Sequence, residues 1–176
     1  MTPRHLIRVL FVLAAMPMGA LAQSVGSIQC DVTENGEPAT GALVVTRDGT
    51  EVARGVCGKA LSVPAGSYTA AVALDGALDG PQRSQPVTVA AGAMSRVSAD
   101  FETGTLEVRI QSEGRRAAGM AIIRKDGTQV GTLGSGVSAH LSAGRYDVVA
   151  RYHSQEKTFA AVVVGKGGHV VLDAAF

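Results

Sequence analysis

The chain has 176 residues and a net charge of +1, with 16 lysine and arginine residues against 15 aspartate and glutamate residues. This balance excludes the strongly basic face that nucleic-acid binding requires, so we expect no nucleic-acid partner. Aromatic residues make up 4% of the chain, tryptophan is absent, and the 22 glycines are typical of a chain with many tight turns.

The first 22 residues have the features of a secretory signal peptide. Two arginines near the start precede an apolar stretch at residues 9–18, and small residues mark a cleavage site that we place after Ala22. No later apolar run approaches the roughly 20 residues that cross a bilayer, so we expect no transmembrane segment in the mature chain. We therefore predict an extracytoplasmic protein, periplasmic or secreted. The alternative is an uncleaved N-terminal anchor.

The rest of the chain carries one sequence pattern twice. RDGTEV at residues 47–52 is matched by KDGTQV at residues 125–130, and AGSY at residues 65–68 is matched by AGRY at residues 143–146. Each copy is long enough to close a core of its own, so the repeat predicts two domains of one fold in tandem. The predicted domains are residues 23–101 and residues 104–176.

Each copy consists of short predicted strands separated by turns. The first strand alternates apolar and polar residues, at residues 28–32 in one copy and 106–110 in the other. Asp-Gly pairs at residues 48–49 and 126–127 then predict hairpin turns, because glycine accepts the positive φ that a two-residue turn requires. Further strands follow, and a last hairpin closes each copy. About seven strands per copy predict an all-β fold of two tandem small antiparallel β-sandwich domains.

The two copies differ in length at one loop. Residues 75–84 of the first copy form a longer connection than their counterpart near residues 154–157. A length change of this kind is expected in an exposed loop of a shared fold. The linker between the copies, residues 102–103, is too short to let them move freely, so we predict a semi-rigid pair of domains.

The two cysteines both lie in the first copy. In an oxidising compartment Cys30 and Cys57 most simply form a disulfide with each other. The second copy has Val108 and Ser135 at the matching positions, so the bridge is an addition to the fold. A redox or metal-binding role is the alternative, although the Cys-x-x-Cys spacing typical of such roles is absent.

The sequence offers no convincing catalytic or cofactor site. His140, His153 and His169 all belong to the second copy, but no two of them have the spacing of metal ligands on one strand. No serine lies in a Gly-x-Ser-x-Gly elbow. We therefore predict no enzyme activity, no metal and no cofactor.

Two pairs of aromatic residues are informative. Tyr68 and Tyr146 follow the Ala-Gly turn in both copies, which favours a ring in each core with its hydroxyl at the rim. Tyr152 and Phe159 lack aromatic counterparts in the first copy. We predict that these two residues belong to an interaction surface specific to the second copy.

The motif order of the second copy resembles a known family. GTLEV at residues 104–108 is followed by DG at 126–127, AGRY at 143–146, and VVV at 162–164 before Gly167. This order is similar to that of carboxypeptidase regulatory-like domains, which are transthyretin-like β-sandwiches, and to PEGA-type repeats. The resemblance implies non-catalytic accessory modules that are often exported and mediate adhesion or position other domains.

These observations lead to one main functional hypothesis and two alternatives. We expect an exported structural or protein-interaction module that binds another extracytoplasmic protein or a component of the cell envelope, through sandwich edge strands. The first alternative is a carbohydrate-binding module with a glycan ligand. The remote alternative is a hydrolase of transthyretin-like fold, which would require a cleft with histidine and arginine side chains.

Overall fold

In the computed structural model, which describes residues 24–176, the regular secondary structure of these residues consists of β-strands. The predicted signal peptide, residues 1–22, lies outside the described residues. Within residues 24–176 no helix is long and apolar enough to span a membrane. The strands of the first half are β1 Val25–Glu34, β2 Glu37–Pro38, β3 Gly41–Arg47, β4 Thr50–Val56, β5 Leu61–Pro64, β6 Gly66–Leu74, β7 Gln82–Val89 and β8 Met94–Phe101. The strands of the second half are β9 Thr103–Ser112, β10 Arg115–Arg116, β11 Met120–Lys125, β12 Thr128–Gly134, β13 Ser138–Ser142, β14 Gly144–Tyr152, β15 Gln155–Val164 and β16 His169–Ala175.

Each half folds into two facing four-stranded sheets with the same topology. In the first half one sheet has the order β4-β3-β6-β7, and in the other β1 lies between β8 on one side and β2 with β5 on the other. The second half repeats this arrangement, with β12-β11-β14-β15 as one sheet and β9 at the centre of the other. The predicted all-β class with two tandem β-sandwiches is confirmed.

Each sandwich has its own hydrophobic core. The alternation of apolar and polar residues along the strands places one row of side chains between the two sheets. The first core includes Ile28, Leu43 and Val72, and the second includes Leu106 and Ile123, all of them fully buried. Only Glu102 separates β8 from β9, so the two sandwiches follow each other almost without a linker.

One pair of strands in each sandwich departs from the predicted antiparallel pattern. β1 pairs with β8 in parallel, from Ser27 opposite Met94 to Glu34 opposite Phe101, and β9 pairs with β16 in the same way. The other strand pairs are antiparallel. Alternation of side chains is the same in parallel and antiparallel strands, so the sequence pattern did not reveal this difference.

The predicted Asp-Gly hairpin turns are present in both sandwiches. Asp48 and Gly49 have φ angles of 51° and 79°, and Asp126 and Gly127 have φ angles of 49° and 78°. Two successive positive φ values are the signature of a type I′ turn, which aspartate tolerates and glycine favours. These turns connect β3 to β4 and β11 to β12.

The predicted disulfide between Cys30 and Cys57 is formed. It links β1 to the turn after β4, and Cys30 is fully buried in the first core. In the second sandwich Ser135 lies at the position of Cys57, and its Oγ accepts a hydrogen bond from the backbone N–H of Ile110 at 3.0 Å. Both turns also bind the strand through their backbone, since the N–H of Gly58 donates to the carbonyl of Cys30 and the N–H of Gly136 donates to that of Val108, each at 2.8 Å. The disulfide therefore strengthens a connection that both sandwiches share.

We predict that the double substitution Cys30→Val and Cys57→Ser, which copies the residues of the second sandwich, destabilises only the first sandwich. A crosslink spanning 27 residues limits the unfolded chain and stabilises by about 3–4 kcal/mol, and the new serine restores about 1 kcal/mol at most. Hydrogen exchange resolved by residue measures this change. Equal loss of protection in both sandwiches would contradict the assignment.

Candidate interaction sites

The long loop between β6 and β7 connects the first sandwich to the second. Ala77 in this loop forms a parallel bridge with His140 of β13, and the backbone N–H of Leu78 donates to the carbonyl of His140 at 2.8 Å. The side chain of Leu78 packs against the second core. It fits because residue 131 is glycine, since a β-carbon there would lie 2.5 Å from Leu78 Cγ. The loop that was predicted to be an exposed connection therefore lies against the second sandwich.

The next residue of the loop, Asp79, places a carboxylate in the second sandwich. Its side chain is only 3% exposed. The backbone N–H of Ser142 donates to Asp79 Oδ1 at 3.0 Å, and Lys125 Nζ donates to Oδ2 at 3.2 Å. The hydroxyl of Tyr146 lies 2.9 Å from Oδ2 and 2.7 Å from the carbonyl of Ser142, either of which accepts its proton. A buried carboxylate is stable only when hydrogen bonds replace the water it has lost, and these donors do so.

The surroundings of Asp79 change the ionisation of both acidic groups. Burial by itself raises the pKa of Asp79, but the hydrogen bonds from Ser142, Tyr146 and Lys125 outweigh burial and hold the pKa below its ordinary value of 3.8. Burial also raises the pKa of the Tyr146 phenol, and the nearby carboxylate raises it further. At neutral pH the site therefore holds a carboxylate anion beside a neutral phenol and the lysine cation.

A second group of contacts surrounds the start of β9. The backbone N–H of Thr103 donates to Asn35 Oδ1 at 3.0 Å, and the Thr103 hydroxyl donates to the carboxylate of Glu34. His140 Nδ1 lies 3.2 Å from the same carboxylate. The hydrogen bond from Thr103 lowers the pKa of Glu34, partial burial opposes this, and His140 adds to the lowering. The turn after β1 is therefore also attached to the second sandwich.

The first sandwich has a counterpart of the Asp79 site without the carboxylate. Tyr68 is buried, and its hydroxyl donates to the carbonyl of Pro64 at 2.6 Å, as Tyr146 can donate to Ser142. Arg47 Nη2 donates to the Tyr68 hydroxyl at 2.5 Å, and its guanidinium lies 4.4 Å from the ring centre. The predicted position of both tyrosines, with the ring in the core and the hydroxyl at the rim, is confirmed.

Tyr152 and Phe159, the predicted interaction residues, are both half-buried against the second core. The Tyr152 ring lies 5.8 Å from the Phe176 ring and 4.3 Å from the His153 ring. Phe159 is on β15 opposite Val148. Their involvement in binding stays a prediction.

The three histidines lie apart. His140 contacts Glu34 at the boundary between the sandwiches, His153 follows Tyr152 at the turn after β14, and His169 lies 2.6 Å from the hydroxyl of Thr105. Within residues 24–176 no group of three histidine, cysteine, aspartate or glutamate side chains is arranged to bind a metal ion.

Sequence reasoning missed Leu78 and Asp79 as functional residues. The signal was present in the comparison of the two copies, because the first copy has the longer loop and the second has glycine at 131 where the first has Ala53. Serine at 142 likewise replaces Pro64 and supplies the N–H that Asp79 requires. These differences become informative only when the loop is known to reach the second sandwich.

Comparisons with known proteins give distant structural similarities only. Neither a protein-family model nor a curated protein matches the chain. The Bacillus anthracis TIE protein is 15% identical with a TM-score of 0.40, covering 87% of this chain and 34% of its own. A candidate cell adhesion protein of Bacteroides ovatus is 10% identical with a TM-score of 0.38, covering 85% of this chain and 91% of its own. The shaft pilin SpaA of Lactobacillus rhamnosus GG, as an E269A/D295N double mutant, is 10% identical with a TM-score of 0.34, covering 86% and 97%.

The chain thus spans about a third of the length of the TIE protein.

We predict that Asp79→Asn weakens the contact between the two sandwiches by about 1–3 kcal/mol, because it removes the charge from three hydrogen bonds. Asp75→Asn is the matched control, since Asp75 is an exposed acid in the same loop. Small-angle X-ray scattering measures the spread of domain arrangements. An equal scattering profile for wild type and Asp79→Asn would show that the carboxylate does not hold the domains together.

The same contact is expected to depend on pH. Because the pKa of Asp79 is lower in the folded chain than its ordinary value of 3.8, its stabilisation is fully present above about pH 5 and is lost as the pH falls through the folded pKa. Lys125 and Tyr146 contact the carboxylate, and Arg83 and Glu102 line the same cleft.

The chemical shift of the Ser142 amide, measured by NMR from pH 6 to pH 2, reports this titration. The shift should move with the pH in wild type and stay nearly constant in Asp79→Asn. A titrating Ser142 amide in both proteins would assign the effect to another acid.

Proposed function

We propose that the protein is an exported structural or protein-interaction module that presents two β-sandwiches in a fixed arrangement to another extracytoplasmic protein or to a component of the cell envelope. The observation that carries this proposal is the buried contact of Asp79, which makes the position of the second sandwich depend on the first. We further propose that the functional units are the domains at residues 23–101 and 104–176. Their membership of the carboxypeptidase regulatory-like family is part of the same proposal and rests on the motif order.

Two further features support an extracytoplasmic binding role. The disulfide between Cys30 and Cys57 is typical of proteins in oxidising compartments. Strand β4 is at the edge of its sheet, so its outer side offers main-chain groups to a partner strand. The exposed side chains of Val52 and Val56 on the same strand add apolar surface. Signal-peptide cleavage after Ala22, in this proposal, delivers the chain to that compartment.

Capture of the partner from the producing cell tests the proposal. The tagged chain, expressed in that cell, is crosslinked in the intact envelope and purified, and the recovered proteins are quantified against an unrelated exported protein with the same tag. We expect at least one envelope protein to be enriched with the wild type and with Asp75→Asn.

The Asp79→Asn variant distinguishes a fixed two-domain surface from two separate binding domains. If the partner contacts both sandwiches, its recovery should fall severalfold with Asp79→Asn while the amount of exported chain stays the same. No enrichment above the unrelated protein, in any variant, would show that the protein is not an interaction module.

A further inference from the structure

The first sandwich has a tyrosine and a cation at the positions of the tyrosine and the lysine that contact Asp79 in the second sandwich. No carboxylate is bound at this position of the first sandwich within residues 24–176. The hydroxyl of Tyr68 and the guanidinium of Arg47 occupy the positions of Tyr146 and Lys125. Both cations lie over the ring of the tyrosine, at 4.4 Å in the first sandwich and 5.1 Å in the second. Both sandwiches thus contain this pair of side chains, but within residues 24–176 only the pair in the second sandwich binds a carboxylate.

We propose that Arg47 and Tyr68 form a docking site for an aspartate or glutamate in a loop of a separate β-domain protein. This inference rests on the proposed function, and it names the surface and the chemistry of one partner. The bound geometry is already seen inside the chain, where the loop of one sandwich gives its carboxylate to the next. The partner would lie before the first sandwich as the first lies before the second.

The differences between the two sites define what the partner must offer. Pro64 has no N–H, whereas the N–H of Ser142 donates to Asp79 in the filled site. Arginine compensates, because its guanidinium presents several donors in a planar fork that matches a carboxylate better than a lysine does. The carboxylate of the partner should therefore bind mainly to Arg47.

The neighbouring apolar position is also different. Leu78 fits in the second sandwich because residue 131 is glycine, but the first sandwich has Ala53 at that position. The extra methyl group occupies part of the space that a leucine needs. The residue before the acid in the partner loop should therefore be small.

A long loop of the kind that carries Asp79 occurs once within residues 24–176. Residues 1–23 contain no aspartate or glutamate. The long loop with Asp79 is already bound inside each molecule, and its counterpart in the second sandwich is the two-residue turn of His153 and Ser154. A second copy of the chain therefore has no free equivalent of this loop, which favours a different protein.

The neighbouring acid does not prevent binding. Asp48 is next to Arg47 and lines the same shallow cleft. The filled site has Asp126 at the matching position beside Lys125, and Asp79 binds there nevertheless. The local charge pattern of the empty site is therefore the pattern of a site that accepts a carboxylate.

Site-specific photocrosslinking in the producing cell tests this proposal. The probe is Ala65→benzoylphenylalanine in the full chain, because Ala65 is exposed and its counterpart Ala143 lines the cleft that holds Asp79. The matched control is the same probe at Ala143, which should crosslink to the loop at residues 75–81 of its own chain. The crosslinked peptides are identified by mass spectrometry.

We expect the probe at Ala65 to crosslink to a loop of another β-domain protein, within a few residues of an aspartate or glutamate that follows a small residue. Arg47→Gln should reduce this crosslink about tenfold or more, as expected when a charge-assisted hydrogen bond is lost. Arg47→Lys, which copies the filled site, should retain most of it. The control crosslink at Ala143 should persist in both variants, which shows that they are folded.

A crosslink that is absent, unaffected by Arg47→Gln, or directed to a lipid, a glycan or a second copy of the chain would overturn the proposal. The proposed function fails separately. If the whole chain captures an envelope protein but the probe at Ala65 does not reach it, the interaction module stands and only this docking site is wrong.

Discussion

The arrangement of the molecule depends on one carboxylate that is buried at a distance from its own sandwich. The Asp79 side chain is 3% exposed, and its hydrogen-bond donors all belong to the second sandwich. A buried carboxylate without donors costs several kcal/mol, so arrangements that separate the two sandwiches expose it to water again or leave it unsatisfied. The contact therefore favours one position of the second sandwich relative to the first. Leu78 adds apolar contact beside it, and the hydrogen bonds of Thr103 to Asn35 and Glu34 form a second attachment across the boundary.

The two sandwiches show how a repeated fold acquires different surfaces through few changes. The framework is shared, since the sheet orders, the type I′ turns and the buried tyrosines recur. The differences lie at the positions that receive the loop: glycine for Ala53, serine for Pro64 and lysine for Arg47. Each difference has a physical consequence, namely space for a leucine, an additional N–H donor and a compact cation. The fold is thus kept by one set of residues and the interaction surface is set by another.

Much of the fold could be predicted from the sequence because its signals are local. Alternation over five residues indicates a strand, and an aspartate before a glycine indicates a tight hairpin, so the strands and the Asp48 and Asp126 turns were predictable. The disulfide followed from cysteine number and compartment. The parallel pairing of β1 with β8 was not predictable, since it joins residues about 67 positions apart in the sequence without changing the local pattern.

The interaction site was missed for a related reason. The loop around Asp79 contains glycine, proline and aspartate, a composition typical of an exposed turn. Its role depends on contact with Ser142, 63 residues later. The differences between the copies, Gly131 for Ala53 and Ser142 for Pro64, are consistent with that contact. They can be interpreted only when the structure shows that the loop lies against these positions.

We infer that both sandwiches move as one body because the loop around Asp79 is bound to the second sandwich. Residual dipolar couplings of the full chain in a weakly aligning medium can decide this, since each sandwich reports its own alignment tensor. We expect one tensor, with equal magnitude and orientation, to fit the amides of both sandwiches at neutral pH. Two tensors of clearly different magnitude would show that the sandwiches reorient independently and that the bound loop does not fix their arrangement.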